Sequence, residues 1–121
     1  MSTFDNAVSI NPYFRLKDEN MEACKGTLAQ FCELVSSNEE NCLFYNFTFM
    51  GDLLCCREAY KDADAVVAHL ENCGPALGKF LDIAELVKIE VHGPAEELDK
   101  LKEAFAAFNP DYFVCECGIG N

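Results

Sequence analysis

The chain has 121 residues and a mass of about 13.5 kDa. Half of its residues are hydrophobic, and 9 basic residues face 21 acidic ones for a net charge of −12. This length suits one domain that buries roughly two thirds of the surface its open chain would expose. No apolar run approaches a membrane span, and the negative charge argues against nucleic acid and anionic membrane surfaces, since both would be repelled.

In chain order, Ala7 to Phe14 reads as a strand with Val8 and Ile10 on one side, and Pro12 marks a strand end or a sheet edge. Asp18 is placed to cap a helix. Its apolar stripe, Met21, Cys24, Leu28, Phe31 and Val35, follows at i+3 and i+4 spacing, and the polar run Ser36 to Asn41 ends it. Cys42 to Met50 and Leu53 to Tyr60 are two strands joined by Gly51-Asp52, a two-residue hairpin turn with glycine first. That turn sets the register: Met50 opposite Leu53, Phe47 opposite Cys56, Tyr45 opposite Glu58. One face then carries Leu43, Tyr45, Phe47, Phe49, Leu54, Cys56, Glu58 and Tyr60. The other carries Phe44, Asn46, Thr48, Met50, Leu53, Cys55, Arg57 and Ala59. Neither face looks suited to water, so both need cover, and one helix layer covers only one of them.

Asp62 caps a second helix with Ala63, Val66, Val67, Leu70 and Cys73 on its apolar side, and Gly74-Pro75 is expected to break it. Leu77, Phe80 and Leu81 suggest one further helical turn. Ala84 to Val91 alternates as a strand through Val87, Ile89 and Val91. Pro94 opens a third helix, with Glu96 and Glu97 near its positive end and a stripe of Leu98, Leu101, Phe105 and Phe108; Glu96, Glu97, Asp99 and Glu103 read as its solvated face. Asn109-Pro110-Asp111 turns the chain into a last strand from Tyr112 to Cys117, followed by a glycine-rich tail.

The order β-α-β-β-α-β followed by α-β predicts an α+β, ferredoxin-like split β-α-β sandwich, an antiparallel sheet with helices on one face. A single domain over 1–121 is expected, with its core in 7–91 and a helix-strand extension in 92–121. The apolar sheet face left uncovered predicts a homodimer, sheet face to sheet face, and the extension either reaches the partner or widens the sheet.

Eight cysteines are present, at 24, 32, 42, 55, 56, 73, 115 and 117. None shows the C-x-x-C spacing of a zinc or redox site, most fall at apolar positions where cysteine acts as a small hydrophobe, and no metal is expected. The N-terminus shows neither a basic nor an apolar leader segment, so a cytoplasmic location is expected.

Among residues that could carry chemistry, His69 stands first. It lies roughly 95° from the centre of its helix's apolar side at 100° per residue, which puts it on the flank, and an imidazole exchanges protons near neutrality. Glu58, an acid among apolar neighbours on a strand, would have its pKa raised by burial and could act as a base; otherwise it orients Tyr45 or a cation. Tyr45 and Tyr60 flank it on the same face, with Phe47 beside them, and can position a ligand or simply pack with satisfied hydroxyls. Asn46 and Arg57 face each other on the opposite side, where they could bind a carbonyl or carboxylate or pair across a dimer. His92 reads as structural or exposed.

Two segments carry a family resemblance. Glu40-Asn41-Cys42-Leu43-Phe44-Tyr45 is similar to a strand start of the form Glu-x-Gly-Cys-Leu-x-Tyr. The run from Arg57 through Glu58, Tyr60, Asp62 and Ala65 to His69 is similar to a Glu-x-Tyr, acidic cap, alanine and helix histidine. Both resemble the antibiotic biosynthesis monooxygenase family, a branch of the dimeric α/β barrels, over about residues 7 to 91. Asn41 stands where the family has glycine, and the chain has no Trp, which points away from the haem-degrading members. The resemblance implies a cavity between helices and sheet for a small apolar or aromatic molecule. It also implies cofactor-independent oxygenation of quinol- or polyketide-like substrates, with His69 and Glu58 as acid and base. The alternatives are a non-catalytic binding protein for a lipid-like or acyl ligand, and a dimer that serves only assembly.

Overall fold

The computed structural model describes residues 4–120. Strand β1 (Val8–Leu16) leads through a 3-10 turn (Asp18–Asn20) into α1 (Met21–Asn38). The hairpin β2 (Cys42–Met50) and β3 (Leu53–Tyr60) follows, then α2 (Ala63–Phe80), β4 (Ala84–Gly93), the short α3 (Ala95–Asp99) and β5 (Asp111–Val114). The sheet order is β2-β3-β1-β4-β5. The first four strands pair antiparallel and β5 adds parallel to β4, so the extension widens the sheet of its own chain.

The hairpin forms in the register that its turn demands: Met50 pairs Leu53, Phe47 pairs Cys56 and Tyr45 pairs Glu58. Gly51 supplies φ of 60°, a left-handed value that glycine adopts without steric cost, and Asp52 does not share it, as in a type II′ turn. The register slips between Cys42 and Phe44. Cys42 rather than Leu43 therefore sits opposite Tyr60, which corrects the face expected for Leu43.

All helices cover one face of the sheet. Val8, Ile10, Tyr60 and Val91 pack against Val66, Leu98, Leu101 and Phe105, while Phe14, Leu16 and Leu54 pack against Cys24, Leu28, Phe31, Cys73 and Phe80. The stripe expected for α1 is buried from Cys24 to Val35, and Asp62 caps α2 by accepting from the Ala65 N–H at 2.9 Å. Asp18, by contrast, lies in the 3-10 turn, and Asn20 is the residue that precedes α1. The helix also runs on through Asn38, past the loop start expected at Ser36.

Four further expectations give way to tertiary packing. Gly74-Pro75 does not end α2, which carries Pro75 inside it; one missing backbone donor costs less than exposing Cys73 and Phe80, both buried on either side of it. Val87 is 47% exposed, because β4 slips register where Tyr13 pairs Lys88 and Phe14 pairs Leu86, leaving Val87 as the extra residue of a bulge. The third helix ends at Asp99, and its apolar stripe is kept by successive turns to 108, with Leu98, Leu101 and Phe105 buried. Glu97, expected on a solvated face, is buried instead and accepts from the Ala63 N–H at 3.0 Å and from Lys100 at 2.9 Å. It thus satisfies the first orphan donor of α2 from the far end of the chain. Those two bonds, the Ala63 one first, hold its pKa below the ordinary glutamate value.

The other sheet face is mixed rather than uniformly apolar. Phe44, Met50 and Phe113 are exposed there, but so are Asn46, Thr48 and Arg57. Tyr13 donates to Glu90 at 3.0 Å, and that bond raises its pKa to about 12.

Candidate active site

A cavity lies between the inner sheet face and α2. Its internal volume is about 70 Å³. Its walls are mostly aliphatic and aromatic: Ile10 and Phe14 from β1, Phe47 from β2, Ile89 from β4, and Leu70, Leu77 and Phe80 from α2. Phe105 and Phe108 of the C-terminal segment close one side. Glu58, His69 and Tyr45 are the polar exceptions, with the thiols of Cys56 and Cys73.

His69 sits deeper than a flank position suggests, 7% exposed, because α2 lies flat on the sheet and its rings pack around the imidazole. Tyr45 and Tyr60 place their ring centres 5.3 and 5.1 Å from it. Both oxygens of Glu39 lie 3.0 Å from Nδ1, and Oε1 of Glu58 lies 3.3 Å from Nε2. The imidazole therefore spans two carboxylates whose side chains are 4% and 5% exposed.

Each carboxylate is held from a different element. Glu58 faces inward because Glu58, Cys56 and Leu54 alternate on one face of β3. It accepts from the Tyr60 hydroxyl at 2.7 Å. Burial raises its pKa, opposed by His69 and by the Tyr60 bond. Glu39 follows the last turn of α1, its N–H bonded to the Val35 carbonyl. Asn72 of α2 donates to Glu39 at 2.7 Å and to the Leu34 carbonyl at 3.0 Å, so the same side chain ties the two helices together and orients the carboxylate. Glu39 was missed in the sequence because its polar run reads as a loop. The one legible hint was an acid just past a helix end that precedes an apolar strand.

The predicted candidates thus divide. His69, Glu58, Tyr45, Tyr60 and Phe47 are brought together. Asn46 and Arg57 do pair across the hairpin, but on the outer face and exposed, where Arg57 lies 5.7 Å from the Phe44 ring centre; they take no part in this cavity. His92 stacks on Phe113 at 4.5 Å.

The two tyrosines differ. Tyr60 is fully buried and its hydroxyl is spent on Glu58. Tyr45, also pushed up in pKa by burial and then by Glu58, makes no hydrogen bond through its hydroxyl to any described residue. The cysteines are all free. Burial, with Glu39 next, pushes Cys42 up to about 11 and Cys73 up to about 12, so both are neutral thiols near pH 7. Glu39, His69 and Cys73 bring donor atoms within 4.8 Å of one another, a spacing that could hold a metal ion. In the structure these donors already bond one another, with Cys73 Sγ 3.8 Å from Glu39.

With Nδ1–H donated to Glu39, Nε2 becomes the basic atom of a neutral imidazole. With both nitrogens protonated, the cation lies between two anions. Either way the group can take or return a proton next to an apolar cavity.

No family model and no curated protein matches the chain. Solved structures do. The crystal structure of MupZ from Pseudomonas fluorescens is 37% identical, with a TM-score of 0.91 over 96% of this chain and 95% of that one. Structures assigned as antibiotic biosynthesis monooxygenases share the fold. One from Nitrosomonas europaea is 18% identical with a TM-score of 0.65 over 75% of this chain and 92% of that one. Another from Caulobacter crescentus is 18% identical with a TM-score of 0.58 over 73% and 89%. No helix is long and apolar enough to cross a membrane among the described residues. With a relative 37% identical over 96% of this chain, the chain belongs to the same family as MupZ, and it shares its ferredoxin-like fold with the antibiotic biosynthesis monooxygenase-like structures.

Proposed function

We propose that the protein is a homodimer that binds a small apolar or aromatic molecule in this cavity and acts on it by proton transfer, as a cofactor-independent monooxygenase of quinol- or polyketide-like substrates. The observation that supports this most is the His69 imidazole held between Glu39 and Glu58 beside an apolar cavity. Nε2 of His69 takes a proton from the substrate, and Glu39 and Glu58 stabilise the imidazolium that results. The deprotonated substrate then reduces dioxygen directly; one oxygen atom stays in the product and the other leaves as water. The apolar walls exclude bulk water from the anion while it exists. Phe47 and Tyr45 position the ring system, and Tyr60 holds Glu58.

Oxygen consumption with quinol or polyphenolic substrates tests the reading. His69→Ala should lower the rate by about 100-fold or more, the usual worth of a positioned acid-base group. If the purified protein consumes no oxygen with any of these while a lipid-like or acyl molecule is carried through purification, it is a binding protein and the catalytic reading is wrong.

A further inference from the structure

We infer that the cavity selects for a neutral ligand that carries a hydrogen-bond-accepting oxygen, and rejects the anionic form of the same skeleton. The inference rests on the cavity reading above and adds the charge class of what enters.

The first observation is the charge inventory. No Lys or Arg lines the cavity among the described residues; its ionisable groups are Glu58, His69, Tyr45, Cys56 and Cys73, with Glu39 directly behind His69. Both tyrosine and cysteine are neutral when protonated, so the charge is set by two carboxyls and one imidazole. With both carboxylates ionised the trio carries −1 or −2, according to whether the imidazole is charged. With one carboxyl protonated it carries 0 or −1. It becomes positive only if both carboxyls are protonated beside a charged imidazole. An incoming carboxylate would therefore lose its water among apolar walls and meet no net positive charge, and an uncompensated buried anion is strongly disfavoured. The field of a chain at −12 opposes it further.

The second observation is independent of charge. The Tyr45 side chain lines the cavity beside His69 and Phe47, and its hydroxyl bonds no described residue. No buried side-chain oxygen or nitrogen among the described residues lacks a partner, so this hydroxyl is reached by solvent and is free to donate to a ligand oxygen that displaces water. A ketone, ether, ester or phenol oxygen accepts that bond without bringing charge.

The rule is compatible with proton abstraction. When Nε2 takes a proton from a neutral bound molecule, the cavity's total charge does not change; the new anion is born beside a new imidazolium. Binding a preformed anion adds charge with no such compensation.

The test uses three molecules on one ring system, naphthyl methyl ketone, naphthalene and naphthoate, titrated by calorimetry at neutral pH against the whole protein. The ketone should bind tightest, and naphthoate about tenfold or more weaker than the ketone. Tyr45→Phe should bring the ketone down to naphthalene, and Glu58→Gln should narrow the gap between ketone and naphthoate. The wild-type ranking alone decides the matter if Glu58→Gln does not fold. Naphthoate binding as tightly as the ketone overturns the charge rule and leaves the cavity reading standing. Failure of all three to bind overturns both.

Discussion

The hydrogen bonds of Tyr60 and Tyr45 set two similar side chains apart. Tyr60 donates at 2.7 Å to a carboxyl that is buried with it, so Tyr60→Phe leaves Glu58 short of a partner in a dry site. That should cost about 1–3 kcal/mol. Tyr45→Phe removes a hydroxyl with no partner among the described residues and should cost less than about 1 kcal/mol. Urea denaturation of the two variants separates these outcomes, and equal losses would contradict the assignment of the bond. Sequence spacing placed Tyr45, Glu58 and Tyr60 on one face correctly, since strand alternation and the Gly51 turn are local. It did not say which hydroxyl is satisfied, because that depends on side-chain reach between residues 58 and 60 once the helix is laid over them.

At the level of the elements, the C-terminal segment is bound to the core through Glu97. Its carboxylate caps the N-terminus of α2 at Ala63 while Asp62 caps Ala65, so two orphan donors of one helix are met by acids 35 residues apart. Glu97→Ala should destabilise the fold by about 1–2 kcal/mol. Since the Ala63 bond and Lys100 lower the Glu97 pKa, the folded state holds its proton less tightly than the unfolded one. The stabilisation is therefore present above the ordinary glutamate value of 4.5 and is lost as pH falls through the lowered one. Denaturation of wild type and Glu97→Ala should show a gap at neutral pH that closes in acid. A gap independent of pH would mean the side chain acts through packing alone. Periodicity marked Glu97 as solvated because a five-residue helix continuing into irregular turns does not keep the face that a long helix would.

For the whole molecule, the outer sheet face is the surface on which the proposed dimer rests. Phe44, Met50 and Phe113 are 45%, 75% and 45% exposed on it, alongside Arg57, Asn46 and Thr48. A second copy covering this face would bury the aromatic residues and pair the polar ones, whereas a lone chain leaves them in water. Light scattering at micromolar concentration should give a dimer, and a monomer there contradicts it. Phe44→Arg, which sets a like charge beside Arg57, should weaken the dimer about tenfold or more. With −12 on each copy, added salt should strengthen association by screening mutual repulsion.

Local chemistry was enough to determine the order of strands and helices, the hairpin register beside its turn and the grouping of Tyr45, Phe47, Glu58 and Tyr60 on one face, because turn geometry, capping and two simple periodicities act within a few residues; that this face is the inward one was decided by the tertiary structure. Local chemistry also placed His69 on the flank of the second helix's apolar side. Only the tertiary structure decided that His69 lies between two carboxylates, that Glu39 is one of them, that α2 continues through Pro75, and that Glu97 turns inward. Each of those depends on groups distant in sequence becoming buried together, where an unpaired charge or donor is too costly to leave alone.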